Sequence, residues 1–154
     1  MAERSAPDVP RIVSADREIA AAADRIFEVV ADPARQPAYD GNDNLAEAPA
    51  GQRVRGVGEV FTMRLTNGGV RENHVVEFDE GRLLAWKPSE QDREPPGHLW
   101  RWELEPLAAD RTRVRHTYDW TQLTDESRFD RARATTTERL AASLDRLAAL
   151  VEAT

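Results

Sequence analysis

Two rhythms of apolar residues divide the chain. Over much of residues 11–122 apolar and polar positions alternate, the period of a strand with one covered face. After residue 125 they recur every three or four positions, the period of a helix. In that last run Phe129, Ala132, Thr136, Leu140, Leu144, Leu147 and Val151 share one side, and charged residues fall mostly elsewhere. The spacing predicts one amphipathic helix over residues 125–152; about 28 residues at 1.5 Å each would reach roughly 42 Å. Its stripe is leucine-rich toward the C-terminus. Toward the N-terminus it thins to Phe129, Ala132, Ala134, Thr135 and Thr136. Leucines pack tightly, whereas small and hydroxylated residues leave room, so the helix is expected to plug a cavity at one end and line it at the other.

Upstream, residues 11–19 alternate loosely and predict a first strand. Residues 20–31 read as a helix, ended by Asp32-Pro33 because the residue before proline is driven out of the helical region. Residues 33–39 predict a short helical turn, and residues 40–44 (Asp-Gly-Asn-Asp-Asn) carry turn chemistry. A weak edge strand at 45–50 precedes a strong one at 59–66, where Phe61, Met63 and Leu65 share a face. Asn67-Gly68-Gly69 closes a hairpin. Residues 70–78 follow, with His74, Val76 and Phe78 assigned inward and Arg71, Asn73 and Glu77 outward. Then come strands at 82–87 (Leu84 and Trp86 in phase), 98–105 (His98, Trp100, Trp102, Leu104) and 111–122 (Thr112, Val114, His116, Tyr118, Trp120). A polar loop with two adjacent prolines is expected at 88–97. The outward Arg101, Glu103, Glu105, Arg111, Arg113 and Arg115 are expected to pair across strands on a solvated face. An antiparallel sheet with one apolar face and one long amphipathic helix is satisfied when the sheet curves around the helix, an α+β arrangement of about seven strands.

Composition narrows the partners. Acidic residues outnumber basic ones, 28 to 21, for a net charge of −7. That argues against a nucleic-acid surface, which needs a basic field. There is no cysteine, so disulfides and thiolate metal sites are excluded. No apolar run approaches the ~20 residues of a membrane span, so no integral membrane association is expected. Residues 1–10 are polar, hold two prolines and lack the apolar core of a secretory signal; they read as a flexible leader before one domain over 11–154. The expected location is the cytoplasm.

The element order, with the residues inside it, resembles the helix-grip fold of the START-like (SRPBCC) superfamily, and more narrowly its bacterial polyketide cyclase/dehydrase-type branch. The matching positions are Ile26 through Arg35, Tyr39-Asp40-Gly41, Asn73 through Phe78, Ala85-Trp86, Trp102 through Pro106, Thr112-Arg113-Val114 and Tyr118-Asp119-Trp120. In many relatives an aromatic, often tryptophan, follows the proline-containing turn, and here Tyr39 sits there. The superfamily includes lipid carriers, hormone receptors, polyketide cyclases and co-chaperones, so fold alone does not fix chemistry.

All four tryptophans and all three histidines are assigned to the inward face. Several aromatics around a helix with a threonine-rich stretch suit a pocket for a flat or greasy ligand. The expected ligand-binding residues are Tyr39, Phe61, Met63, His74, Trp86, Trp100, Trp102, Tyr118, Trp120, Phe129, Thr136 and Leu140. His74, His98 and His116 lie on three separate strands. Because strands are ~4.8 Å apart, His74 and His98 would be roughly 10 Å apart, and no HExxH pattern supports zinc. No metal site is expected. With no phosphate loop or dinucleotide motif, no cofactor is expected either. His74, His98, His116 and Tyr118 are the candidates for acid–base chemistry, although no nucleophile–base spacing accompanies them. Asp40 is read as a turn former before an acid, and Arg64 as outward. Three functions follow as expectations: a binding protein for a small hydrophobic or aromatic molecule such as a lipid or polyketide-like metabolite; a cyclase, aromatase or dehydratase; or a co-chaperone-like interaction module with a collapsed interior. The oligomeric state has no signal in the sequence.

Overall fold

The computed structural model describes residues 10–152. All but the last residue of the expected leader lies outside them. Seven antiparallel strands run β1 (Ile12–Ile19), β2 (Leu45–Glu47), β3 (Val60–Leu65), β4 (Val70–Asp79), β5 (Leu83–Glu90), β6 (Leu99–Ala108) and β7 (Arg111–Asp119). They form one sheet in the order β1-β7-β6-β5-β4-β3-β2, curled so that its concave face receives the C-terminal helical segment. This is the helix-grip arrangement. Helix α1 (Ala23–Val30) stops before Asp32, whose carboxylate accepts the Ala34 N–H and starts a 3-10 turn over Pro33–Ala38. On the convex face Arg115 pairs with Asp16 at 2.7 Å and Arg101 with Glu77 at 2.7 Å, the solvated cross-strand pairing expected there.

The C-terminal segment is not one helix. A short 3-10 turn (Glu126–Arg128) leads into α2 (Phe129–Arg133), and α3 (Thr137–Glu152) follows after a break. The break falls on Ala134-Thr135-Thr136. There the Thr136 hydroxyl accepts the Arg139 N–H at 3.3 Å, the bond of an N-cap, so the threonine cluster starts a new helix instead of continuing the old one. The leucine half behaves as expected. Leu144, Leu147 and Val151 join Ile19, Ile26, Phe27 and Leu84 in the main core. Each fully buried leucine contributes about 1.5–3 kcal/mol. Leu140 joins a second cluster with Tyr118, Trp120, Leu123 and Ala132.

The inward assignment of β4 is corrected. Val75 pairs with Trp86 and Glu77 with Ala85, so Val76 is an extra residue, a β-bulge. Before the bulge the odd positions face inward: Asn73 and Val75 are buried, while Val76 is exposed. After it the phase changes and Phe78 packs on Phe27. Phe78 therefore predicts the wrong face for everything before Val76. His74 points to the convex side, where its Nε2 lies 3.1 Å from the Ser89 hydroxyl. Ser89 itself donates to the Glu72 carbonyl. Strand β5 also runs on through Pro88 to Glu90, shortening the expected loop.

Candidate functional site

A cavity of about 550 Å³ lies between the concave face and the segment from Ser127 to Ser143. That is within the usual size of a small-molecule pocket. Its aromatic wall comes from three neighbouring strands whose register places Trp86 opposite Trp100, Trp100 opposite Tyr118, and Trp102 opposite His116. The Trp102 and His116 rings stack at 3.7 Å and 16°, and the Trp100 and Tyr118 rings lie 4.4 Å apart. The fixed two-residue period of β6 and β7 makes this wall.

Two histidines belong to it. Burial pushes His116 down to about 3, partly opposed by its bond to the Arg101 carbonyl, with Nδ1 and oxygen 3.1 Å apart. Neutral imidazole donates from Nδ1 there and keeps the Nε2 lone pair. His98 is pushed down to about 4 by burial and then by the charges of Arg128, Arg71 and Arg131. Both rings are uncharged at neutral pH. Tyr118 is raised to about 12 by burial, partly offset by Arg131 and Arg128, and its ring lies 6.0 Å from that of His98.

The turn after the 3-10 segment forms another wall. Tyr39 meets Trp102 edge-on at 5.7 Å and is almost wholly buried. Its hydroxyl has no hydrogen-bond partner among the described residues, and neither does Nε2 of buried Gln36. Burial, followed by the charges of Asp40 and Asp32, raises the Tyr39 hydroxyl far above the ordinary phenol range. Asp40 serves the turn: its carboxylate accepts the backbone N–H groups of Asn42 (3.0 Å), Asn44 (3.0 Å) and Leu45 (3.2 Å). Gly41 sits so close to α3 that an added Cβ would lie 2.8 Å from the Ser143 nitrogen and 2.9 Å from the Ala142 Cβ. Its N–H donates to the Ser143 hydroxyl at 2.8 Å, fixing the turn on the helix.

Of the expected residues, Tyr39, Met63, Trp86, Trp100, Trp102, His98, His116 and Tyr118 come together around the cavity. The others do not reach its wall. Phe61 stands behind Trp86 with ring centres 5.3 Å apart, and Trp120 packs on Phe129 at 5.4 Å beneath the Arg11 guanidinium. Leu140 is core, Thr136 is the helix cap and His74 faces out. Arg71 and Asn73 take the inward place assigned to His74. Arg128 and Arg131, set aside as the polar side of the last helix, also line the cavity with Ala132, Ala134 and Thr135. The paired valines at 75 and 76 are the sequence's sign that the alternation slips. Gln36 carried no such signal. Among the described residues no helix is long and apolar enough to cross a membrane.

A family model described as polyketide cyclase/dehydrase and lipid transport matches residues 10–152. Two uncharacterised proteins of Mycobacterium tuberculosis, from strains CDC 1551 and H37Rv, are each 34% identical over 72% of this chain. The chain spans about half the length of these relatives, 48% in each case. Among solved structures, an aromatase/cyclase of Streptomyces sp. R1128 superposes with a TM-score of 0.64 at 21% identity, over 92% of this chain and 93% of that one. Norcoclaurine synthase from Thalictrum flavum gives 0.60 at 20% identity, over 91% and 92%. At these identities the two structures share the fold. With the model match running over nearly the whole chain, the protein belongs to the polyketide cyclase/dehydrase and lipid-transport family of the START-like (SRPBCC) superfamily.

Proposed function

We propose that the protein binds a small, largely apolar molecule, aromatic or lipid-like, in the cavity between the sheet and the C-terminal helices. The observation that carries this reading is the pairing of a tryptophan-lined cavity with two buried, unpartnered polar groups, the Tyr39 hydroxyl and Gln36 Nε2. A protein interior seldom leaves such groups unsatisfied, because each costs about 1–3 kcal/mol. Both atoms are closed to solvent in this structure, so a ligand oxygen would partner them where the wall beside them gives way. The open interior also favours binding over the co-chaperone-like reading, which calls for a collapsed one.

The second reading is a cyclase or dehydratase in which His98, His116 and Tyr118 move protons. What favours it is their convergence on one cavity. Their proton affinities weigh against it: imidazoles near 4 and 3 are weak bases and a phenol near 12 is a weak acid at neutral pH. A cytoplasmic location is part of the proposal and fits the cysteine-free chain. The test is dye displacement combined with native mass spectrometry against a panel of apolar and aromatic compounds. Displacement and a one-to-one mass shift are expected; no affinity for any member of the panel would overturn the binding reading.

A further inference from the structure

The charge around the cavity is opposite to that of the chain. The protein carries a net −7, yet four arginines (Arg71, Arg128, Arg131 and Arg139) line the cavity against one acidic residue, Asp40. The Asp40 carboxylate is already engaged by three backbone N–H groups of its own turn. Arg128 has counter-ions in Glu90 at 2.8 Å and Asp125 at 3.3 Å. Among the described residues Arg71, Arg131 and Arg139 have no carboxylate within ion-pair distance, whereas Arg17, Arg53, Arg101, Arg111, Arg113 and Arg115 all do. Arg71 stands out. It is half-buried on the concave face, opposite Met63, and among the described residues the one hydrogen bond of its guanidinium is a long one of 3.5 Å to the Val70 carbonyl. Burial lowers its pKa, the charge of Glu90 on the neighbouring strand opposes that, and the charges of Arg128 and Arg131 add to it; the Glu90 carboxylate is itself bonded to Arg128 at 2.8 Å. A guanidinium has five donors, and holding one partly desolvated beside two like charges is unfavourable without an anion.

Resting on the binding reading above, we propose that the ligand is an amphipathic acid, its apolar body against the tryptophan wall and its anionic oxygen head, a carboxylate or phosphate, held by Arg71 with Arg131. Arginine forks suit both heads. The unpartnered Tyr39 hydroxyl and Gln36 Nε2 lie elsewhere on the same lining and call independently for a ligand.

The test compares dodecanoate, dodecyl phosphate and dodecanol by calorimetric titration of the intact protein, with Nile red as a neutral reporter of the cavity. The two acids should bind at least about tenfold tighter than the alcohol, and raising salt from about 50 to 500 mM should weaken only the acids. Which acid binds better separates the carboxylate from the phosphate source. Arg71→Gln should lower acid affinity about tenfold or more and leave dodecanol within about twofold; Arg131→Gln, on an exposed position, gives the same comparison if Arg71→Gln fails to fold. Arg113→Gln on the convex face should change neither. Dodecanol binding as tightly as both acids overturns the anionic head and leaves the cavity reading standing. No binding of any probe, Nile red included, overturns both.

Discussion

Replacing Tyr39 with phenylalanine should push stability and binding in opposite directions. The side chain is 3% exposed, packs edge-on against Trp102, and carries a hydroxyl without a partner among the described residues. Phenylalanine keeps the ring and its packing and removes only the oxygen. An unsatisfied buried polar group costs about 1–3 kcal/mol, so its removal should stabilise the ligand-free protein by about 1 kcal/mol, taking the low end of that range. For a domain of this size that is a rise in Tm of about 2–4 °C. A typical Tyr→Phe change at a bonded hydroxyl has the opposite sign, which makes the sign itself informative. If the hydroxyl meets a ligand oxygen, the same substitution forfeits about 0.5–1.5 kcal/mol of binding, roughly two- to tenfold in affinity. Urea unfolding followed by tryptophan fluorescence, with and without a bound probe, measures both. A ligand-free variant destabilised by about 1 kcal/mol or more would show that the hydroxyl is bonded inside the protein and would refute the reasoning.

Three further outcomes are expected. His98 and His116 have folded pKa values near 4 and 3, below the ordinary 6.5, so the unfolded chain takes up their protons first. Their contribution is complete above about pH 6.5 and is lost as pH falls toward 4, by about 1 kcal/mol per histidine between pH 6 and pH 5. Carboxylates such as Asp16 and Glu77, whose pKa values are lowered by Arg115 and Arg101, act only at still lower pH. Urea midpoints at pH 6 and pH 5 should therefore differ, and His116→Phe should roughly halve the difference; an unchanged slope would mean that His116 is not buried neutral. Gly41→Ala should cost about 1–3 kcal/mol through its clash with the α3 backbone, measured by chemical denaturation, since backbone cannot swing aside as a side chain can. Thr136→Ala should cost about 0.5–2 kcal/mol by uncapping α3, whereas Thr135→Ala should be milder; equal losses would place the cap elsewhere.

Where local periodicity decides structure, the sequence was readable. β6 and β7 keep their alternation from Leu99 to Pro106 and from Thr112 to Asp119, so Trp100, Trp102, His116 and Tyr118 were legible as inward-facing from spacing, as was Trp86 from its phase with Leu84 on β5. Where one residue breaks the period, reading failed. The bulge at Val76 inverts β4, exchanging His74 for Asn73 and Arg71, and this hides a cationic residue of the cavity. The helix break was half visible in the thinning stripe at Ala134, Thr135 and Thr136. Its consequence, that Arg128 and Arg131 turn toward the cavity, depends on how α2 packs on Trp120 through Phe129, a long-range contact that no local pattern encodes. The role of Gly41 was equally hidden, because the atoms that demand a glycine belong to a helix 102 residues away.

The central claim is that the space between Trp86, Trp102 and Tyr39 is a binding site. The most direct measurement is a crystal structure of the protein grown with dodecanoate or, if it binds more tightly, the best compound from the displacement panel. The account predicts a chain or ring lying against Trp86 and Trp102, a ligand oxygen within hydrogen-bond distance of the Tyr39 hydroxyl or Gln36 Nε2, and an anionic head at Arg71. A structure in which the same compound sits only on the outer surface, with Trp100 and α2 closed over a filled interior, would contradict it.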